Sequence, residues 1–255
     1  MNDINPTSSA VPPPIPPRPG ALALGENPEE REPISNAIVA IEAILRQPRR
    51  IMYQLRQPGA GRLILAMLFV AIICSLIYGI VVGTFSKDDQ LWAAPVKIAS
   101  GMLLSALICL PSLYIFTCLS GSQARLQEIF GLMCGLLLLM TMLLIGFAPV
   151  AWLFSESTNS VTWMGILHLL FWFIATFFGL RFLENGFSHS HARSSAGLNT
   201  WIIIFVLVVL QMTTALRPLI GTSKTFLPTD KKFFLVHWGD NLNTWRNSPS
   251  TRTHD

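Results

Sequence analysis

Long apolar blocks separated by short polar ones dominate this chain. The extreme case is Ile129 to Phe154, IFGLMCGLLLLMTMLLIGFAPVAWLF, which holds no Asp, Glu, Lys, Arg or His. It exceeds the roughly 20 apolar residues that an α-helix needs to cross a bilayer core. Four further blocks of similar character run from about Leu63 to Gly83, Lys97 to Cys118, Val161 to Leu180 and Trp201 to Leu216. In hydrocarbon every backbone polar group must find its partner within the protein, and a helix supplies those partners by itself. The pattern predicts an all-α, polytopic membrane protein with five transmembrane helices over residues 58–216. The links between blocks are short, so neighbours in sequence should be antiparallel neighbours in space. Pro111 and Pro149 fall inside blocks, where they would bend helices to fit their neighbours.

The pattern changes on either side of these blocks. Residues 1–33 are polar and Pro-rich, and read as a disordered tail. Within it, VPPPIPPRPG (Val11 to Gly20) suits polyproline II, and Pro13, Pro16 and Arg18 fit a PxxPxR pattern that aromatic-lined grooves bind. These three are candidate partner-binding residues; a stiff, solvated leader is the plainer reading. Over residues 34–57, Ile34, Ile38, Ile41 and Leu45 recur at helical spacing, and Pro48 interrupts them. Beyond Pro48, Ile51, Met52 and Leu55 share one face, with Arg49, Arg50 and Arg56 on the other. Such a segment suits an amphipathic helix lying in the membrane interface, with Arg46, Arg49, Arg50 and Arg56 at anionic head groups. The same stripe could instead pack against the ends of the spans. Residues 217–255 form a C-terminal tail whose apolar stretch FFLVHW (Phe233 to Trp238) is too short to span.

Composition supports the membrane assignment. The chain is 51% hydrophobic and 13% charged, against about 25% charged for a soluble domain. The net charge of +4 is spread over both tails, so there is no basic face for nucleic acid. Its distribution sets an expected orientation. Arg46, Arg49, Arg50, Arg56 and Arg62 precede the first span, which places the N-terminus in the cytoplasm. Lys87 and Lys97 would then lie outside, as would the C-terminus after five crossings, although Arg217, Lys224, Lys231 and Lys232 in the tail pull the other way. No apolar signal region opens the chain, so the first span would serve as an uncleaved anchor in a cell membrane or endomembrane. Trp92, Trp152, Trp163, Trp201 and Tyr114 lie near span ends, where amphipathic rings anchor at the interface.

Candidate chemistry is sparse. Charges within a bilayer usually mark ion paths or proton relays. None lies in the central portion of a block, and Lys97, Glu128 and Arg181 fall at ends that can reach head groups. His168 is the one titratable side chain well inside a span, with no acid on any span to pair with it. His189 and His191 make an HxH without a third ligand, short of a zinc site. Cys74, Cys109, Cys118 and Cys134 form no CxxC and read as small buried side chains. Ser75, Ser100, Ser105 and Ser112 lack a base that would make any of them a nucleophile. No enzyme activity, cofactor or metal is therefore expected. The small residues are more informative. Gly79 and Gly83, Gly101 and Ser105, and Gly131 and Gly135 are each four apart, so each pair stacks on one helix face and lets another helix approach. These are candidate packing residues, within the bundle or against another membrane protein or a second copy.

Three stretches resemble the Yip (Ypt-interacting protein) superfamily of five-span membrane proteins over about Ile44 to Leu216. ILRQPRRIMYQL (Ile44 to Leu55) is similar to the Pro-containing segment leading that domain toward the bilayer. LSGSQARLQEIFGLMCG (Leu119 to Gly135) is similar to its Gly-containing turn into the third span, and GFAPVAWLF (Gly146 to Phe154) to the proline near that span's far end. The resemblance implies five spans, a cytosolic N-terminus and, for eukaryotic members, partners in vesicle traffic. It implies no catalytic residues, and the long C-terminal tail departs from it. The expected function is a non-enzymatic scaffold or adaptor in the lipid bilayer, binding partner proteins. The alternative is a small-molecule or lipid transporter, or an accessory subunit of one.

Overall fold

The computed structural model describes residues 24–86, 90–122, 124–157, 161–188 and 196–215. Their regular structure is entirely helical: α1 (Pro28–Arg31), α2 (Ala37–Arg46), α3 (Pro48–Leu55), α4 (Gly61–Ser86), α5 (Gln90–Leu119), α6 (Leu126–Ser157), α7 (Val161–Ser188) and α8 (Ala196–Ala215). Helices α4 to α7 are each long and apolar enough to cross a membrane, and α8 contributes a shorter apolar stretch, Gly197–Met212. The chain is thus built as an integral membrane protein with four candidate spans. Large apolar side chains such as Leu65, Phe69, Leu107, Phe173 and Ile203 point outward around the bundle. In water an apolar surface of this extent would be a liability; in lipid it is the expected exterior.

Helix α6 is the central stave. Of its most apolar stretch, 67% is buried, against 39%, 33% and 39% for α4, α5 and α7. It packs chiefly on α4 and α7, α4 packs on α5, and α5 on α8, while α7 and α8 barely touch. Cross-helix contacts fix an antiparallel order. Gly79 of α4 lies against Pro95 of α5, Gly179 of α7 against Met140 of α6, and Gly197 of α8 against the Phe116 carbonyl of α5 and Ser120 just beyond it. The N-terminal ends of α4, α6 and α8 and the C-terminal ends of α5 and α7 therefore share one end of the bundle, called here the near end. The short helices α2 and α3 pack there, against α4 and α6.

The helices overrun the apolar blocks, and this moves two residues from their expected places. Helix α5 begins at Gln90, so Lys97 lies within it and is fully buried rather than at a span end reaching head groups. Trp201 is not an interfacial anchor. It is 0% exposed, its Nε1 donates to the Cys109 carbonyl at 3.0 Å and to Ser112 Oγ at 3.2 Å, and its ring stacks on Phe205 at 5.1 Å. A buried indole needs a partner for its N–H; here that partner is on α5, so Trp201 locks α8 to α5. By contrast Trp92, Trp152 and Trp163 remain exposed. Order also begins earlier than the tail composition suggests, because residues 24–33 carry a turn and the helix α1.

Candidate interaction face

Local sequence signals build the layer at the near end. The side chain of Asn36 caps α2 by accepting from the Val39 N–H at 2.9 Å. Pro48 starts α3 at a position where its missing N–H costs nothing. The apolar stripe of 34–57 turns inward: Ala40, Ala43 and Ile44 on α2, then Ile51, Met52 and Leu55 on α3, are all buried. Glycines of α6 make the room. Leu55 lies against Gly131, and Phe182 of α7 and Ile44 lie against Gly135. Of the two arrangements open to this amphipathic segment, the structure has the one in which its stripe packs on the span ends.

The arginines face a set of acids. A turn at Gly25, whose φ of 89° suits glycine, lets its N–H donate to Glu30 Oε2 at 2.5 Å. The other Glu30 oxygen accepts from Arg49 Nε at 2.6 Å. Burial would raise the Glu30 pKa, but the Gly25 N–H and the Arg49 guanidinium outweigh it and hold the carboxyl below the usual carboxylate range. Arg50 donates to the carbonyls of Glu32 at 3.1 Å and Pro33 at 3.3 Å, and pairs with the Glu32 carboxylate at 3.4 Å. Arg56 lies 3.8 Å from Glu128, tying α3 to α6. Arg46 is the exposed member, in a pair with Glu42 at 3.1 Å. All four arginines expected at head groups thus engage acids of the protein, Arg46 within its own helix and the other three between segments.

The chain matches no protein-family model, no curated protein and no solved structure. Its chemistry is therefore taken from its own side chains.

Inside the bundle most polar side chains serve their own helix. Ser75 donates to the Ile72 carbonyl at 2.8 Å, Thr117 to Leu113 at 2.7 Å and Thr141 to Leu137 at 3.0 Å. Ser105 donates to the Gly101 carbonyl at 2.7 Å, joining the two small residues of that pair. Hydroxyls held this way are not activated nucleophiles. Gly83 and Gly101 are buried, and Gly79 meets the Pro95 backbone, so a side chain there would collide with main chain.

Besides the Trp201 bonds from α8 to α5, a polar contact joins α4 and α7. Tyr78 Oη on α4 and His168 Nδ1 on α7 lie 2.7 Å apart, and both residues are buried. His168 Nε2 has no hydrogen-bond partner. The Phe171 ring stands perpendicular to the imidazole, with ring centres 6.4 Å apart, and stacks on Phe147 at 4.7 Å. Sequence reasoning found His168 but not Tyr78. The available signal was a tyrosine in mid-span, whose hydroxyl must find a partner in hydrocarbon. Among the described residues no three His, Cys, Asp or Glu side chains cluster as a metal site. Pro13, Pro16, Arg18, His189 and His191 lie outside the described residues.

Proposed function

We propose that this protein is a non-enzymatic, five-span membrane scaffold that presents a docked N-terminal platform to partner proteins on the cytoplasmic side. The single observation carrying this reading is the built platform of α1 to α3, apolar face down on the bundle and acid–arginine pairs above. Its outer surface keeps Ile38, Glu42, Leu45 and Arg46 exposed at helical spacing on α2, an apolar and charged mixture suited to protein contact. The arginines before α4 support the cytoplasmic assignment through the positive-inside bias. Counting α8 as the fifth span fits its 20 residues, about 30 Å of helix and the thickness of a bilayer core. The family likeness to Yip proteins rests on sequence pattern alone.

Crosslinking pull-downs from native membranes test this reading. The double variant Ile38→Glu, Leu45→Glu and a deletion of residues 1–23 should each lose partners that the full chain captures. Identical capture by all three proteins would refute it. Burial of Tyr78, Lys97 and His168 within the bundle favours one second reading, a transporter or transporter subunit. Substrate flux in proteoliposomes that His168→Leu abolishes, with the fold intact, would favour that reading.

A further inference from the structure

At the near end a cleft of about 580 Å³ opens between α5, α7 and α8. Its origin is visible in two glycines. Gly197 brings α8 onto the Phe116 carbonyl of α5 and onto Ser120 just after that helix, while Gly186 brings α7 onto Leu132 of α6. Each helix is drawn to a different neighbour, so α7 and α8 separate. The walls are Leu113, Phe116, Phe187 and Leu198, with Leu113 fully buried at the deep end. Polar groups line the rest, among them Ser120, Asn199 and Glu184.

Glu184 gives the cleft its chemical sign. It is half-buried and the one ionisable side chain among the described lining residues. The ion pairs of the described residues use Glu30, Glu32, Glu42 and Glu128, not Glu184. The nearest arginine along α7, Arg181, lies over the Phe177 ring at 5.3 Å. A partly desolvated carboxylate above an apolar slot favours a cation that carries an apolar tail, and disfavours an anion. The cleft sits at helix ends, the level at which lipid head groups meet a bundle. Asn199 can donate to phosphate or ester oxygens.

We propose that this cleft binds an amine-headed amphiphile, a phosphatidylethanolamine-type lipid, with its ammonium on Glu184 and an acyl chain along Phe116, Phe187 and Leu198. This goes beyond the scaffold reading and does not depend on it.

Native mass spectrometry of the full chain in mild detergent tests the proposal, using phosphatidylethanolamine and phosphatidylglycerol with identical acyl chains, and free ethanolamine. The expected result is at least tenfold better retention of phosphatidylethanolamine over phosphatidylglycerol, with free ethanolamine bound far more weakly than the lipid. Glu184→Gln should remove the preference, and Asn199→Trp, at an exposed rim position, should lower lipid binding without lowering thermal stability. Equal retention of the two lipids, or an unchanged preference in Glu184→Gln, would overturn the assignment. Ethanolamine bound as tightly as the lipid would overturn the amphiphile in favour of a soluble amine.

Discussion

Tyr78 and His168 belong to helices that pack on α6 rather than chiefly on each other, yet their side chains meet at 2.7 Å. Removing the tyrosine hydroxyl leaves His168 Nδ1 unpartnered beside an Nε2 that already has no bond. Tyr78→Phe should therefore lower stability by about 1 kcal/mol, the scale of interhelical hydrogen bonds in membranes. Unfolding in mixed micelles by SDS titration measures this, and a double-mutant cycle with His168→Leu should show coupling. Additive losses would mean the contact contributes nothing. The glycines divide by what lies opposite them. A methyl at Gly79 would strike the Pro95 backbone, which cannot turn aside; one at Gly131 would meet only the tip of Leu55. Gly79→Ala should cost about 1–3 kcal/mol, and Gly131→Ala distinctly less, in the same titration. The spacing of both glycines is plain in the sequence. Their difference is not, because it depends on whether backbone or a flexible side chain arrives opposite.

The element on which most depends is the docked segment from α1 to α3. Its apolar stripe was legible, since Ile51, Met52 and Leu55 recur on one face whatever covers them. What covers them was not legible, because lipid and a protein surface make the same demand on an apolar stripe. Glu30 was less legible still: an acid in a polar stretch looks solvated until Arg49 is seen beside it at 2.6 Å. Because the folded Glu30 carboxyl sits below the usual range, it binds a proton less readily folded than unfolded. Its contribution to docking is then complete above the unfolded pKa and lost as pH falls through the folded one. A nitroxide at Ser35, in a Cys118→Ser background that removes the exposed native thiol, should be immobile at neutral pH and loosen in acid. Glu30→Gln should loosen it at neutral pH by removing a charged hydrogen bond, a loss of about 1.5–3 kcal/mol. A label equally immobile in that variant would mean the apolar stripe alone holds the platform.

At the scale of the whole molecule, the apolar blocks carried the architecture because hydrocarbon admits little but helices. Polar exceptions such as Lys97 and Trp201 were misplaced because burial between helices cannot be read from one helix alone. What remains is the relation of the bundle to the two sides of the membrane, and the antiparallel order makes it testable. Gln57 before α4, Cys118 near the end of α5 and Thr200 early in α8 are all exposed at the near end, while Glu156 is exposed at the far end of α6. An impermeant maleimide applied to sealed, oriented membranes should label native Cys118 from one side only. With Cys118 replaced by serine, Gln57→Cys and Thr200→Cys should label from that same side, and Glu156→Cys from the opposite one. If α8 crosses as a fifth span, a reporter fused after residue 215 should lie with Glu156, and one at the N-terminus with Gln57. Reporters on the same side would show that α8 fails to cross, despite the Trp201 lock that binds it to α5. Arginine distribution predicts that the Gln57 side is the cytoplasm. Adding Lys residues beside Glu156 should then erode that orientation, whereas adding them beside Gln57 should leave it intact.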